Sequence, residues 1–437
     1  MYPKILIISR NTWNDNLGTS STLTNMFSDY DPEKLAHIYI ETKSPETCHC
    51  YLFFQISEIS LIHKLFKWNT KTGFAFDIRQ LKKEINDTSI ARQETATMQY
   101  VRSHRSYLFS FAREILWAIN GWKSKELRDF IHDFDPDVIW MDGSPLPLMN
   151  RLYNYVLNIA KKPAVIFMQD DIYTYKSCPP GIFANLNKWY LRKKVKQVVS
   201  KCNDMFVASP KMKNEYDKIF GFNSTFIAKS VNIESIDLEE NTFIHNPIRM
   251  VYLGQVIYGR IYTLIDIANS INSINNKENQ IELTIYTNNQ IPESLRNKLL
   301  ANRNVYLKPP VPYNEVSKVI AENDILVFVE SFEYKYNKIA RLSFSTKICD
   351  YLTSNKCIFA VGPSDLAPME YLKNEDAAII ANSKDEISIK IKQLTNKTIK
   401  EYNHKSNECL KRNHDRTNMN TIIYGKLKEL AENNCIL

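Results

Sequence analysis

The apolar positions of this chain gather in short runs, each closed by polar residues. "KILIIS" (4–9), "AHIYIET" (36–42), "CYLFFQI" (50–56), "DPDVIWMDG" (135–143), "KPAVIFMQDD" (162–171) and "NDMFVAS" (203–209) follow one another through the first half. Such runs mark strands covered on both faces, as in parallel sheets. Between the first two lies "NTWNDNLGTSSTLTNMF", a polar loop holding Gly18 and then a helix start. "RSYLFSFAREILWAING" (105–121) reads as an aromatic-rich helix, and the polar stretch from Thr70 to His104 as an insertion. Strand, loop, helix and strand in this rhythm predict an α/β domain.

A second series starts at "IRMVYLGQ" (248–255) and continues through the helical "GRIYTLIDIANSI". Strands are predicted at "IELTIYT", "NVYLK", "DILVFVE", "CIFAVG" and "AAIIA". The character of the chain changes near 232–247. The expected division is 1–235, 236–415 and a terminal helix within 416–437 that packs back on the first half. The fold class is therefore α/β, with two doubly wound, Rossmann-like domains facing each other. In such sheets ligands bind beyond the carboxyl ends of the strands.

The bulk numbers fit this picture. A chain of 437 residues exceeds what one core usually serves. No apolar run approaches the roughly 18 residues of a membrane helix, and the N-terminus lacks a signal-peptide layout. The eight cysteines show no framework spacing, which suits a reducing compartment, so the expected location is the cytoplasm. Cys48, His49 and Cys50 are too close in sequence to form a tetrahedral metal site by themselves, and no metal is expected. The formal charge of +8 favours anionic partners. No RNP, KH or zinc-finger pattern accompanies it, so nucleic acid is not expected.

The stretch "SFSTKICDYLTSNKCIFAVG" (343–362) carries the most chemistry. Ser343, Ser345 and Thr346 stand at the mouth of a predicted helix, followed by Lys347. Unpaired amides at a helix start, with a lysine, suit a phosphate. Asp350 lies about 4.5 Å further along the axis, a workable offset from a diphosphate to a ribose diol. A hydroxyl cap with a solvated lysine has the same pattern. Upstream, "VYLGQVIYGRIYTLI" sets Gly254 after a buried strand and Arg260 six residues on.

Taken together, these motifs resemble the GT-B retaining glycosyltransferases, in particular the family 4 enzymes that build bacterial surface polysaccharides. Many of those have a lysine where Arg260 stands, and "DYLTSNKCI" matches the end of their second signature. Asp350 falls on its ribose-binding glutamate. Gln255 replaces a frequent arginine, and Asn355 and Cys357 replace a glycine and a proline. Leu342 replaces the glutamate that touches the donor sugar, so either Arg341, Glu333 or Glu330 substitutes for it or the donor is held differently. "STKICDYL" is closest to a subset with a serine–lysine pair before the helix.

The resemblance implies a nucleoside-diphosphate sugar donor and a glycan or lipid-linked acceptor, with no cofactor. It implies that Gly254, Arg260, Ser345, Thr346, Lys347 and Asp350 hold the donor. The Gly18 loop, with Thr19, would sit near the donor sugar. Asp170 and Asp171 would face the acceptor, orienting its hydroxyl or taking its proton, although a helix cap or solvated turn has the same pattern; Asp142 and Tyr173 are further candidates. Two cations on the diphosphate would replace a divalent metal. The cationic, aromatic "NKWYLRKKVKQVVSKC" (187–202) could rest on an anionic membrane or be an ordinary solvated face. A nucleotide-sugar epimerase of the same fold, or a non-catalytic module, would share these motifs.

Overall fold

The computed structural model describes residues 2–15, 21–80, 107–119, 121–236, 243–275 and 280–434. Gly18, Thr19 and most of the predicted insertion lie outside them.

The first half builds an eight-stranded sheet. Its strands are β1 (Ile5–Ile8), β2 (Leu35–Tyr39), β3 (Leu52–Ile56), β4 (Gly73–Asp77), β5 (Val138–Asp142), β6 (Ala164–Met168), β7 (Asp204–Val207) and β8 (Thr225–Phe226). The spatial order is β4-β3-β2-β1-β5-β6-β7-β8. All pairs are parallel except β3–β4. β4 corrects the sequence reading, which gave that stretch no strand. Its Gly73 and the exposed Phe74 break the solid apolar run that marks the other strands.

The second half forms a six-stranded, wholly parallel sheet. It comprises β9 (Ile248–Leu253), β10 (Ile281–Tyr286), β11 (Val305–Lys308), β12 (Ile325–Val329), β13 (Cys357–Val361) and β14 (Ile379–Ala381). The order β11-β10-β9-β12-β13-β14 is that of a dinucleotide-binding sheet, with its switch point between β9 and β12. Gly254 and Arg260 follow the first of these strands and Glu330 follows the second.

The central strands of each sheet are covered on both faces, which is why β1, β5, β6, β12 and β13 are apolar almost throughout, whereas the burial of β10 alternates. One face of the first sheet packs Trp13, Phe27, Trp140 and Phe206 against Met419, Ile423, Tyr424 and Leu427. Those last four belong to the helix Arg416–Asn434, so the chain returns to its first half at the end. The crossing is pinned by backbone bonds from Val231 N to His414 O at 2.9 Å and from Arg416 N to Val231 O at 2.9 Å.

Candidate functional site

The site grows from the turn after β9. Gly254 has φ +150°, a region that side chains avoid, and a Cβ placed there would lie 1.8 Å from Nζ of Lys347. The glycine is the gap through which the lysine reaches the backbone. Lys347 Nζ donates to the carbonyl of Leu253 at 2.9 Å and lies 5.4 Å from the centre of the Tyr252 ring. Burial, reinforced by the charge of Arg260, lowers Lys347 from the usual lysine range to about 8.

Arg260 begins the helix Arg260–Asn275, just past a turn in which Tyr258 and Gly259 both have positive φ. A Cβ on Gly259 would fall 2.4 Å from Ser331 Oγ and 2.6 Å from the Tyr336 ring, so only glycine fits. The guanidinium forks onto Glu330: Nε donates to Oε2 at 3.2 Å, and Nη2 to Oε1 at 3.0 Å. A phosphate contact by Arg260 therefore falls to Nη1.

Arg260 and Lys347 face a shared space. A cavity of about 30 Å³ is lined by Arg260, Ser345, Lys347, Tyr252 and Tyr351. Lys347 and Tyr351 also line a cavity of about 1230 Å³, together with Gly254, Gln255, Lys229 and Asp350. Thr346 is exposed, and its side chain makes no cap bond to the helix Lys347–Leu352. That helix has six residues, so its dipole is small and the lysine supplies most of the local positive charge.

Asp350 forms an ion pair with Lys229, which sequence reasoning missed. Lys229 comes from the segment after β8, and His414 Nδ1 holds its backbone carbonyl at 2.7 Å. The two partners lie 121 residues apart, so no local pattern links them. Glu330, one of the possible substitutes for the missing glutamate, is buried and committed to Arg260. Glu333 is paired with Lys335.

The first half meets this site along Arg341–Ser343. Ser343 Oγ donates to Oδ1 of Asp170 at 2.6 Å, and Asp170 is otherwise exposed. Asp171 is buried, and both its oxygens are engaged. Oδ1 accepts from Thr174 N at 2.8 Å and from Tyr216 at 3.3 Å. Oδ2 accepts from the Thr174 hydroxyl and from Arg341 Nη2 at 3.3 Å. Asp171, expected from the resemblance to face the acceptor, here caps a turn and bridges the two halves. Arg341 also binds Glu215, with Nη2 to Oε2 at 2.9 Å, and so leaves the donor role considered for it.

Asp142 accepts from Trp140 Nε1 at 3.1 Å, and burial raises its carboxyl to about 6. Tyr173 is buried beneath Arg192, whose guanidinium lies 4.1 Å from the ring centre.

Neither a family model nor a curated protein matches the sequence. Solved structures do match along the whole chain. An α,α-trehalose 6-phosphate synthase from Burkholderia multivorans is 10% identical, with a TM-score of 0.60, covering 99% of this chain and 100% of its own. TarM is 11% identical, with a TM-score of 0.60, covering 98% of each. An E. coli trehalose-6-phosphate structure bound with UDP-2-fluoro glucose is 9% identical, with a TM-score of 0.58, covering 97% of this chain and 98% of its own. At such identity the likeness is one of fold. The chain has two facing parallel-sheet domains in the GT-B arrangement.

Proposed function

We propose that this protein is a glycosyltransferase. It moves a sugar from a nucleoside-diphosphate donor to a glycan or lipid-linked acceptor, with retention of configuration, in the synthesis of bacterial surface polysaccharide. The observation that carries this reading is the placement of Lys347 on the lining of both cavities, with Arg260 lining the smaller one. A diphosphate held at Lys347 would meet its ammonium directly and Arg260 through Nη1. Two fixed cations would stabilise the leaving diphosphate as charge develops on it, the role a divalent ion plays elsewhere. Asp350 would accept from the ribose hydroxyls in place of Lys229.

Asp170 is the carboxylate reachable from the second half through Ser343, and it would orient an acceptor hydroxyl. Asp171 is locked, which favours a reaction whose proton goes to the departing phosphate rather than to a protein base. UDP and UDP-glucose are reasonable first probes, given the ligand of the E. coli neighbour.

The acceptor end of the reading has its own support. On the helix Ile182–Val199, Ile182, Phe183, Leu186 and Trp189 are 78%, 80%, 57% and 57% exposed. Positions spaced i, i+1, i+4 and i+7 share one helix face. Lys193 lies 6.0 Å from the Trp189 ring and, like Lys196, is exposed. Arg192 and Lys201 are tied into the fold, which narrows the cationic set expected from sequence. Such a face suits an anionic membrane on which a lipid-linked acceptor would sit. Among the described residues no helix is long and apolar enough to cross a membrane.

The test is a thermal-shift screen of UDP, GDP and their sugars on the wild type, Lys347→Ala and Asp350→Ala. One nucleotide class should stabilise the wild type by mass action. Both variants should lose that shift, and sugar transfer should fall by about 100- to 1,000-fold in Lys347→Ala. Absence of any nucleotide preference, or wild-type turnover in both variants, would overturn the reading. Donor incubated alone should yield no epimer.

A further inference from the structure

A second cluster of chemistry lies in the first half, on residues that the proposed transfer does not use. Asp15, Cys48 and His49 present one ligand atom each, all within 4.8 Å of one another. Cys48 Sγ is 3.6 Å from His49 Nε2, and His49 Nε2 is 4.0 Å from Asp15 Oδ2. Around a tetrahedral zinc, bond lengths of about 2.3 Å to sulfur and 2.0–2.1 Å to nitrogen and oxygen place S and N about 3.6 Å apart, and N and O about 3.3 Å apart. The sulfur–nitrogen pair already has that spacing. The carboxylate needs to close by about 0.7 Å to reach it.

The surroundings hold Asp15 and the backbone of both loops, while the Cys48 side chain is exposed. Asp15 N donates to Glu46 O at 3.1 Å and Glu46 N to Trp13 O at 3.0 Å. Asn14 Nδ2 donates to Glu46 Oε2 at 2.7 Å. The two loops are thus zipped together directly beneath the three ligands. Asp15 Oδ1 accepts from Thr24 Oγ1 at 2.6 Å, which leaves Oδ2 turned toward the imidazole. His49 N donates to the buried Thr47 hydroxyl at 3.1 Å. Cys50 is excluded from the set: it is buried, with its thiol against the carbonyls of Leu35 and Leu52. The sequence alone could not reveal the site, because its third ligand arrives from 33 positions before Cys48.

We infer that Asp15, Cys48 and His49 form a binding site for a zinc-class divalent ion, with water completing four ligands. Thiolate and imidazole select zinc-class ions, whereas magnesium and calcium require oxygen. Binding would deprotonate the Cys48 thiol and release that proton. The ion would clamp the turn ahead of the helix Ser21–Phe27 to the connection between β2 and β3.

The test is titration of the chelator-dialysed full chain with Co²⁺. A thiolate-to-cobalt absorption should grow with the ligand-field bands of a four-coordinate ion, saturate at a single equivalent, and disappear on adding Zn²⁺. Cys48→Ser and His49→Ala should each abolish the charge-transfer band while keeping the wild-type circular dichroism. Cys50→Ser, if folded, should keep it. Zn²⁺ should raise the melting temperature of the wild type and leave that of Cys48→Ser unmoved. No thiolate band in the wild type, or an undiminished band in Cys48→Ser, would refute the site whatever the transferase assays show.

Discussion

Lys347 combines partial burial with a charge that function would require. Its pKa of about 8 means that the ammonium form dominates below that pH and fades above it. A bound diphosphate favours the charged form, so the effect belongs to the free protein. Affinity for the matched nucleoside diphosphate, read by calorimetry, should fall steadily from about pH 7 to about pH 9.5, and Lys347→Met should flatten that slope. Gly254→Ala tests the same geometry from the other side: a Cβ only 1.8 Å from Nζ must expel the lysine from its bond to Leu253. Nucleotide affinity should drop about as far as in Lys347→Ala, and the strain of a side chain at φ +150° should also lower stability by about 1–3 kcal/mol. At this scale the sequence was informative where the chemistry is local. Arg260 follows β9, and Lys347 and Asp350 precede β13, at short, recognisable spacings. Lys229, and the pairing of Glu330 with Arg260, stayed hidden, since each meets its partner only through the fold.

Among elements, the segment Arg341–Lys347 carries two tasks. Its start holds the first half: Arg341 bridges Asp171 and Glu215, and Ser209 Oγ donates to the carbonyl of Leu342 at 3.1 Å. Its end enters the donor cavity. Asp171 is fully buried, so removing its cation leaves an uncompensated charge. Arg341→Ala should destabilise the fold by about 3 kcal/mol in denaturant titration. Asp170→Ala, at an exposed partner, should cost under about 1 kcal/mol. A reversal of that order would defeat the assignment of Asp171 to structure. The strands were legible because solid apolar runs are what doubly covered sheets require. β4 was not, because an antiparallel edge with one open face needs no such run. The "DD" after β6 looked like a catalytic pair; capping and bridging demand the same residue type, and only burial separates the two uses.

For the whole molecule, the order β11-β10-β9-β12-β13-β14 and the returning helix Arg416–Asn434 set two sheets face to face with a cavity at the switch point. The exposed face of Ile182, Phe183, Leu186 and Trp189 stands apart from that cavity's lining. Flotation with phosphatidylglycerol vesicles should recover the protein, phosphatidylcholine vesicles should recover much less, and salt should weaken the contact. Replacing Phe183 and Trp189 by serine should reduce recovery by about tenfold or more, from the apolar area lost. Equal recovery by both lipids would rule out the electrostatic part of this docking.

The dual tethering of Arg341–Lys347 has a mechanical corollary. One end is fastened to Asp170, Asp171 and Glu215, the other to the carbonyl of Leu253. Lys347 lies six positions after Arg341 and four after Ser343, and a fully extended chain spans at most about 3.6 Å per residue. Pulling the lobes apart by more than the slack in that strap must either strip the carboxylates from their arginine or draw the ammonium out of its seat. Parting of the lobes and ejection of a spent nucleotide would then be geared to the same hinge.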